Sequence, residues 1–363
     1  MTLASELRTE PTAPAQSGPG ADAPAGAGLE PHGDHVGHKD EGHNDEGHND
    51  TAYFERLRLL SEGSVHKNFQ PFLDIDWDSP EFTVVPDDER WILQRETDPM
   101  GRHPWYQAQS KERQIAIGMW RQANVAKVGL QFENILIRGL MQYVFVQPNG
   151  SIESRYSTHE TIEECNHTLM FQEMVNRIGM DTPGMNRVLR GLGKLIPLAG
   201  SALPTIFFMG VLAGEEPIDH LQKQILRDES EIHPIMKAVM SIHVAEEARH
   251  ISFAHQFLER RVPRMSRPQR FVSALAMPVI MRVLCDAIVV PPREFWDRFE
   301  VPVSVKKELF WDSPQARAQL SNYFGDVRML ADNAGLMNPA AKLMWKACKI
   351  DGRASRYRSE PQR

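Results

Sequence analysis

The sequence has few cysteines, with only Cys165, Cys285 and Cys348 among 363 residues. They are widely spaced and form no CxxC pair, which argues against a thiolate metal clip and a disulfide framework. This cysteine usage fits a reducing cytoplasm. On a helix, Cys165 would point about 100° away from Glu164, so we expect it to be a buried thiol that binds no metal.

Other absences narrow the function classes. The net charge is only −7 and no basic stripe is present, so nucleic acid is not an expected partner. The first residues lack the basic and apolar regions of a signal peptide. The uncharged stretch 195–214 contains two prolines and runs into two glutamates, so we expect a buried helix there and no membrane span. No GxGxxG follows a predicted strand, so no flavin or nicotinamide site is expected.

Composition divides the chain into four segments. Residues 1–50 have almost no large apolar side chains and are predicted to be a disordered tail rich in His, Asp and Gly. Residues 51–110 are rich in Pro, Asp and Trp around 71–91 and are predicted to be an irregular lead-in. Residues 111–350 form the predicted helical domain, and residues 351–363 a flexible C-terminal tail.

Alternation typical of β-strands is almost absent, and the apolar residues recur three and four apart. Four long helices are predicted, at 115–146, 157–179, 204–228 and 234–260. Ser157 or Thr158 is the expected N-cap of the second helix, and Gly179 lies near its end. The predicted fold class is all-α, with a four-helix bundle as the core and additional helices toward the C-terminus.

Two of these helices carry Glu-x-x-His. The first is "EECNH" at 163–167, and the second lies within "HVAEEARH" at 243–250. Residues three and four apart share a helix face, so His243, Glu247 and His250 lie within roughly 60° of one another. One such motif is weak, but two on separate amphipathic helices match the rule for two-metal carboxylate bundles.

That rule also requires a single inward glutamate from each of the other two helices. Glu133 is the only acid between Glu112 and Glu153, and Glu215 and Glu216 follow the apolar run "IFFMGVLAG". The separation from Glu133 to Glu164 is 31 residues, as is that from Glu216 to Glu247. Equal spacing favours Glu216, with Glu215 as the alternative.

Carboxylates inside apolar runs are costly unless a cation neutralises them. Four carboxylates carry a charge of −4, which two divalent ions would balance. Mixed oxygen and nitrogen ligands suit iron or manganese better than zinc or calcium, and the zincin motif HExxH is absent.

Together with "GMWRQANVAKVGLQFEN" and "LAGEEPID", these motifs resemble the aminobenzoate N-oxygenase (AurF-type) di-iron proteins of the ferritin-like superfamily, over roughly residues 73–260. The additional histidine one turn before Glu-x-x-His is the most specific element. The resemblance implies two iron ions, O₂ as co-substrate, Glu164 and Glu247 as bridging ligands, and Glu163 and Glu246 as supports for ligand histidines. The ligands it implies are Glu133, Glu164, His167, Glu216, His243, Glu247 and His250.

The function that the resemblance implies is oxygen insertion at the nitrogen of an arylamine or related amine. Partners would be a small-molecule substrate and an external electron donor or reductase, and a homodimer is one assembly that fits. The alternatives are a di-iron hydroxylase or oxidase with a different small-molecule or carrier-bound substrate, and a ferritin-like metal-binding protein without oxygenase activity. We expect Leu130, Ile137, Phe171 and Met209 to be among the residues lining the substrate pocket.

Overall fold

The computed structural model describes residues 43–228 and 230–360, with side chains described from residue 50 onward. The predicted disordered tail, residues 1–50, lies outside the described residues as far as residue 42. The prediction was wrong for residues 43–50, which belong to the helix His43–His66. No strand occurs in the described part of the chain, which confirms the all-α prediction. The α-helices are α1 (His43–His66), α2 (Pro71–Asp74), α3 (Pro99–Arg102), α4 (Pro104–Gln107), α5 (Lys111–Phe145), α6 (Ile152–Ile178), α7 (Arg187–Leu192), α8 (Ala199–Ala202), α9 (Pro204–Arg227), α10 (Pro234–Arg261), α11 (Arg267–Val289), α12 (Arg293–Arg298), α13 (Val303–Lys307), α14 (Pro314–Asn322), α15 (Gly325–Asn333) and α16 (Pro339–Ala347).

Four long helices form a bundle consistent with the predicted ferritin-like core. Helix α5 packs along α6, and α9 packs along α10, so the bundle consists of two helix hairpins. Contacts of α10 with α6 and of α5 with α9 close it. Helix α11 packs on α9, and α16 packs on α11, so helices from the C-terminal part of the chain cover one side of the bundle.

Local sequence sets the ends of these helices. The hydroxyl of Ser110 accepts a hydrogen bond from the amide of Arg113 and caps α5. Helix α6 begins earlier than predicted, because Ser151, and neither Ser157 nor Thr158, caps it directly after the Pro-Asn-Gly turn. Gly179 ends α6 as expected, with a φ of 70° that favours glycine.

The lead-in is more regular than predicted. Helix α1 extends to His66 and buries Tyr53, Leu57 and Leu60 at helical spacing, so tertiary packing stabilises it. Short helices and 3₁₀ turns (Pro80–Phe82 and Glu89–Trp91) occupy much of the remainder. The prediction of an irregular segment over 51–110 was therefore wrong for its first part.

Residues 351–360 are held against α15, in contrast to the predicted flexible tail. The guanidinium of Arg328 donates to the carbonyl oxygens of Ile350 (2.9 Å) and Arg353 (2.7 Å). Arg356 and Arg353 both donate to the carboxylate of Glu360. Composition alone did not reveal these bonds, because they depend on where α15 lies.

The apolar stretch 195–214 is broken in the structure. It contains a 3₁₀ turn at Ile196–Leu198, the short helix α8, and a non-helical break at Leu203 before α9 begins. In the described residues, only the segment Arg267–Arg298 is long and apolar enough to cross a membrane, judged by length and composition, and half of its apolar window is buried.

Candidate metal centre

All four bundle helices supply acidic or imidazole side chains to one point in the interior. Helical periodicity explains this, since residues three, four and seven apart lie on one face. The seven side chains that meet there are each at most 2% exposed. They are Glu133 from α5, Glu164 and His167 from α6, Glu215 from α9, and His243, Glu247 and His250 from α10.

These side chains form overlapping groups whose ligand atoms lie within 4.8 Å of one another. Four residues, Glu133, Glu164, His167 and Glu247, each belong to two groups, so the groups form one connected cluster. The groups are Glu133, His167, His243 and Glu247; Glu164, His167, Glu247 and His250; and Glu133, Glu164 and Glu215.

The donor atoms converge without satisfying one another. Nδ1 of His250 lies 2.8 Å from Oε1 of Glu164 and 3.4 Å from Oε2 of Glu247. Even so, these three atoms have no hydrogen-bond partner among the described residues. One oxygen of Glu133 and both of Glu215 are likewise unpartnered. Buried polar atoms are normally satisfied, so lone pairs that meet in this way fit a bound cation.

The carboxyl groups of the cluster have pKa values shifted in different directions. Burial and repulsion between carboxylates raise the pKa, and nearby histidines lower it. Burial, followed by the charges of Glu164 and Glu247, raises the pKa of Glu133 well above its usual range. Burial and then Glu247 do the same to the pKa of Glu215. Burial also raises the pKa of Glu164, but the charges of His250 and His167, with the hydrogen bond to His167, together lower it to about 2.

The pKa values of the three histidines are also shifted in different directions. Burial lowers the pKa of His167 and His250, but the surrounding carboxylates, led by Glu164, together raise it more, and the pKa of both lies well above the ordinary value. Burial dominates at His243 and lowers its pKa to about 4. His243 is therefore a neutral imidazole near pH 7, the form that binds metals.

The outer nitrogens of two histidines are held by carboxylates of the opposite helix. Nε2 of His167 lies 2.9 Å from Oε2 of Glu246, and Nε2 of His250 lies 2.7 Å from Oε2 of Glu163. Each bond turns the other ring nitrogen, Nδ1, toward the centre. The two contacts cross between α6 and α10, an arrangement that orients metal-ligating imidazoles.

Arg249, which the sequence analysis did not single out, joins these outer carboxylates. Its Nη2 lies 2.8 Å from Oε1 of Glu163 and 3.5 Å from Oε1 of Glu246, and it also donates to the carbonyl of Lys67. The amide of Phe69 donates to the same oxygen of Glu246 at 3.2 Å. The segment after α1 therefore covers the outer face of the histidine pair.

The structure places Glu215, and not Glu216, in the cluster. Glu216 turns away and its Oε1 lies 2.7 Å from Nε2 of His255. The preference for Glu216 depended on equal 31-residue spacings. Helix ends vary by a residue or two, and one residue rotates a side chain by about 100°, so spacing does not separate these neighbours.

Two further predictions about side chains need correction. Cys165 is exposed, so it is not the buried thiol that was expected. Leu130, Ile137 and Met209 are not among the residues lining the cavity beside the cluster, whereas Phe171 is. The sequence predicted that apolar residues would line the cavity, but it did not show which turn of each helix faces the cavity.

That cavity is small, with a volume of about 30 Å³, and it lies on the side of Glu133, Glu215 and His243. Phe132 and Phe171 are also part of its wall. Gln222, two turns after Glu215 on α9, contributes a buried side chain whose Oε1 has no partner among the described residues. Gln222 could have been recognised from its i+7 spacing to Glu215.

Glu160 is a buried acid near the cluster that the sequence analysis also missed. It is fully buried, both of its oxygens are unpartnered within the described chain, and burial raises its pKa well above the ordinary value. It lies four residues before Glu164, as His243 lies four residues before Glu247. The signal was present in this spacing.

Comparison with known proteins identifies the family. Residues 50–335 match the family described as "P-aminobenzoate N-oxygenase AurF". A protein of Mycobacterium tuberculosis described as uncharacterized is 66% identical over 311 residues, which cover 86% of this chain and 91% of that protein. A Mycobacterium bovis protein with the same description is 65% identical over the same shares. The chain belongs to the AurF family of di-iron oxygenases, and its buried Glu/His cluster fits a metal site.

Proposed function

We propose that the protein is a non-haem di-iron oxygenase that uses O₂ to oxidise the nitrogen of an arylamine or related amine. The observation that carries this proposal is the convergence of unpartnered carboxylate and imidazole atoms from four helices, with His167 and Glu247 common to two four-residue groups. Family membership supports the oxygenase class.

The donor set fits two iron ions in number and charge. The chain offers four carboxylates and three imidazoles at the centre, and four negative charges balance two divalent ions. Glu164 and Glu247 would be among the residues that hold the ions, and they belong to two of the three groups, as Glu133 and His167 do. When bound, the iron pair supplies the electrons and Lewis acidity that O₂ activation needs. The residues that would hold it are Glu133, Glu164, His167, Glu215, His243, Glu247 and His250.

The protein's own residues orient the site and keep it dry. Glu163 and Glu246 hold His250 and His167 with Nδ1 inward. The apolar rings of Phe171 and Phe132 line the small cavity beside Glu133 and Glu215 and limit the water that it can hold. Oε1 of Gln222 is an acceptor buried in that wall, and it would receive an N–H of the amine and hold its nitrogen toward the centre.

The proposed reaction is balanced by an external donor. One oxygen atom of O₂ adds to the amine nitrogen to give a hydroxylamine, and the other leaves as water after taking up two electrons and two protons. We propose that a separate reductase or small reductant supplies the electrons. A cytoplasmic location and a homodimeric assembly also belong to this proposal.

The test is to load the metal-depleted chain anaerobically with Fe(II), count bound iron, and expose it to O₂ with and without aniline. We expect about two iron ions per chain and a visible absorbance that rises, then decays faster with aniline as phenylhydroxylamine forms. His250→Ala should bind less than about one iron per chain. His159→Ala, a half-buried histidine of α6 outside the cluster, is the matched control and should keep its iron.

Less than about one iron per wild-type chain would refute the metal centre. Iron uptake with an absorbance that aniline and other amines leave unchanged would retain the cluster and refute N-oxygenation. Oxidation of an alkyl or aldehyde substrate in that case would favour the hydroxylase or oxidase alternative.

A further inference from the structure

A second and larger cavity lies next to the metal centre. Its volume is about 320 Å³, near the lower end of the range for small-molecule pockets of roughly 300–1,000 Å³. Every described residue that lines it is apolar. The residues that shape it most directly are Leu136, Leu189, Ile196, Phe207, Val211 and Leu284.

Phe132 separates the two cavities, because it is part of the wall of both. Its ring packs on Gly214 so closely that a Cβ at 214 would lie 1.9 Å from the ring. The space beside Glu133 and Glu215 is only about 30 Å³, which is room for about one water-sized molecule. The body of any organic substrate must therefore lie elsewhere, and the cavity behind Phe132 adjoins the centre.

The charges around this route exclude an anionic substrate. No lysine or arginine is among the described residues that line either cavity, and the small cavity already contains Glu133 and Glu215. A carboxylate on the apolar chain would be buried in the large cavity with no cationic side chain in its wall, which is strongly unfavourable. An uncharged amine meets no such penalty.

The outer end of the large cavity provides an apolar route from solvent. Leu192 is 48% exposed, Val279 is 39% exposed and Val283 is 48% exposed, and all three line the cavity. An apolar chain would therefore pass from the surface to Phe132 without contacting a charged side chain.

We propose that the substrate is an uncharged, elongated amine whose apolar chain occupies the 320 Å³ cavity and whose nitrogen reaches Glu133 and Glu215 when the ring of Phe132 turns aside. The identity of the reacting nitrogen depends on the proposed function. The location of the apolar chain does not, because binding can be measured without turnover.

The test is to measure by calorimetry the binding of aniline, 4-ethylaniline, 4-butylaniline, 4-hexylaniline and 4-aminobenzoate to the full-length chain, with and without Fe(II). Each added methylene should tighten binding about three- to fourfold until the cavity is filled. 4-Aminobenzoate should bind at least tenfold more weakly than 4-ethylaniline, since its carboxylate has no partner.

Gly210 allows a direct block of the cavity. A Cβ at 210 would meet nothing closer than Cδ1 of Leu284 at 3.8 Å, so the backbone accepts a side chain there. Gly210→Phe should abolish the dependence on chain length, whereas the matched control Gly210→Ala should retain it. Thermal unfolding and iron content of both variants show whether the fold is intact.

Three outcomes would overturn the proposal. They are affinity independent of chain length, preference for 4-aminobenzoate, and an unchanged chain-length dependence in correctly folded Gly210→Phe. If Gly210→Phe instead dissociates a dimer while alkylanilines do not bind, a second copy of the chain covers the cavity. If alkylanilines bind as expected but are not oxidised, the cavity assignment stands and the proposed reaction fails.

Discussion

The hairpins α5–α6 and α9–α10 present nearly the same side chains to the centre, and the difference that bears on the ligands lies on α6 and α10. Four residues before the Glu of Glu-x-x-His, α6 has Glu160 and α10 has His243. Both are buried, yet Glu160 has a raised pKa and His243 a lowered one. The equivalent pairs are Glu133 and Glu215, Glu163 and Glu246, Glu164 and Glu247, and His167 and His250.

This difference shows how a near-symmetric bundle acquires a directional site. Burial favours the neutral form of both Glu160 and His243, but only the imidazole offers a nitrogen lone pair for an ion. His243 also lines the small cavity, whereas Glu160 is not among its described lining residues. The hairpin α9–α10 thus supplies the additional ligand atom, on the side of the cluster that faces the small cavity.

The largest effect is expected from replacing Glu215, the inward glutamate of α9. Glu215→Gln should reduce bound iron from about two to about one or fewer per chain, because Glu215 faces the other ligands. The neighbouring control, Glu216→Gln, should retain its iron and lose about 1–3 kcal/mol of stability, because His255 loses a charged partner. Elemental analysis and chemical unfolding measure both, and the reverse pattern of iron loss would identify Glu216 as the ligand.

A second difference between the hairpins gives a pH-dependent stability. Four residues after the inward glutamate, α5 has Ile137 and α9 has Asp219. Burial raises the pKa of Asp219 from 3.8 to about 6, although Lys223 lies 2.6 Å away. The folded pKa exceeds the unfolded one, so the carboxylate destabilises the fold above pH 6, and this cost disappears as the pH falls to 3.8.

Asp219→Asn should therefore raise the free energy of unfolding by up to about 3 kcal/mol at pH 8 and leave it nearly unchanged at pH 4. Urea unfolding at both values measures this. The exposed Asp332→Asn is the control and should change stability by less than about 0.5 kcal/mol. A gain at Asp219 that is equal at both pH values would contradict the assigned pKa.

The smallest expected effect tests the symmetry itself. Glu163→Ala and Glu246→Ala should each weaken iron binding about 10- to 100-fold, because each frees one ligand histidine of the opposite helix. Competition with a chromophoric chelator measures the iron affinities. The control Glu259→Ala, also on α10 but outside the cluster, should leave them unchanged. Markedly unequal losses would show that the crossed bonds do not serve the two histidines alike.

The sequence predicted the parts of the molecule that depend on periodicity. The four long helices follow from apolar residues three and four apart, and six of the seven side chains of the cluster were named from acids and histidines at helical spacing. Glu215 was only the alternative, because a one-residue choice depends on register. Arg249 and the order of α1 were missed because each depends on contacts between segments far apart in sequence.

The bonds of Arg249 to Lys67 and of Phe69 to Glu246 couple the metal centre to the segment that follows α1. The position of this segment and that of the ligand His167 are thermodynamically linked, because Glu246 contacts both His167 and the amide of Phe69. Iron occupancy would then contribute to the folding free energy of the lead-in. The order of the segment around Lys67 and Phe69 would then depend on whether iron is bound in the interior.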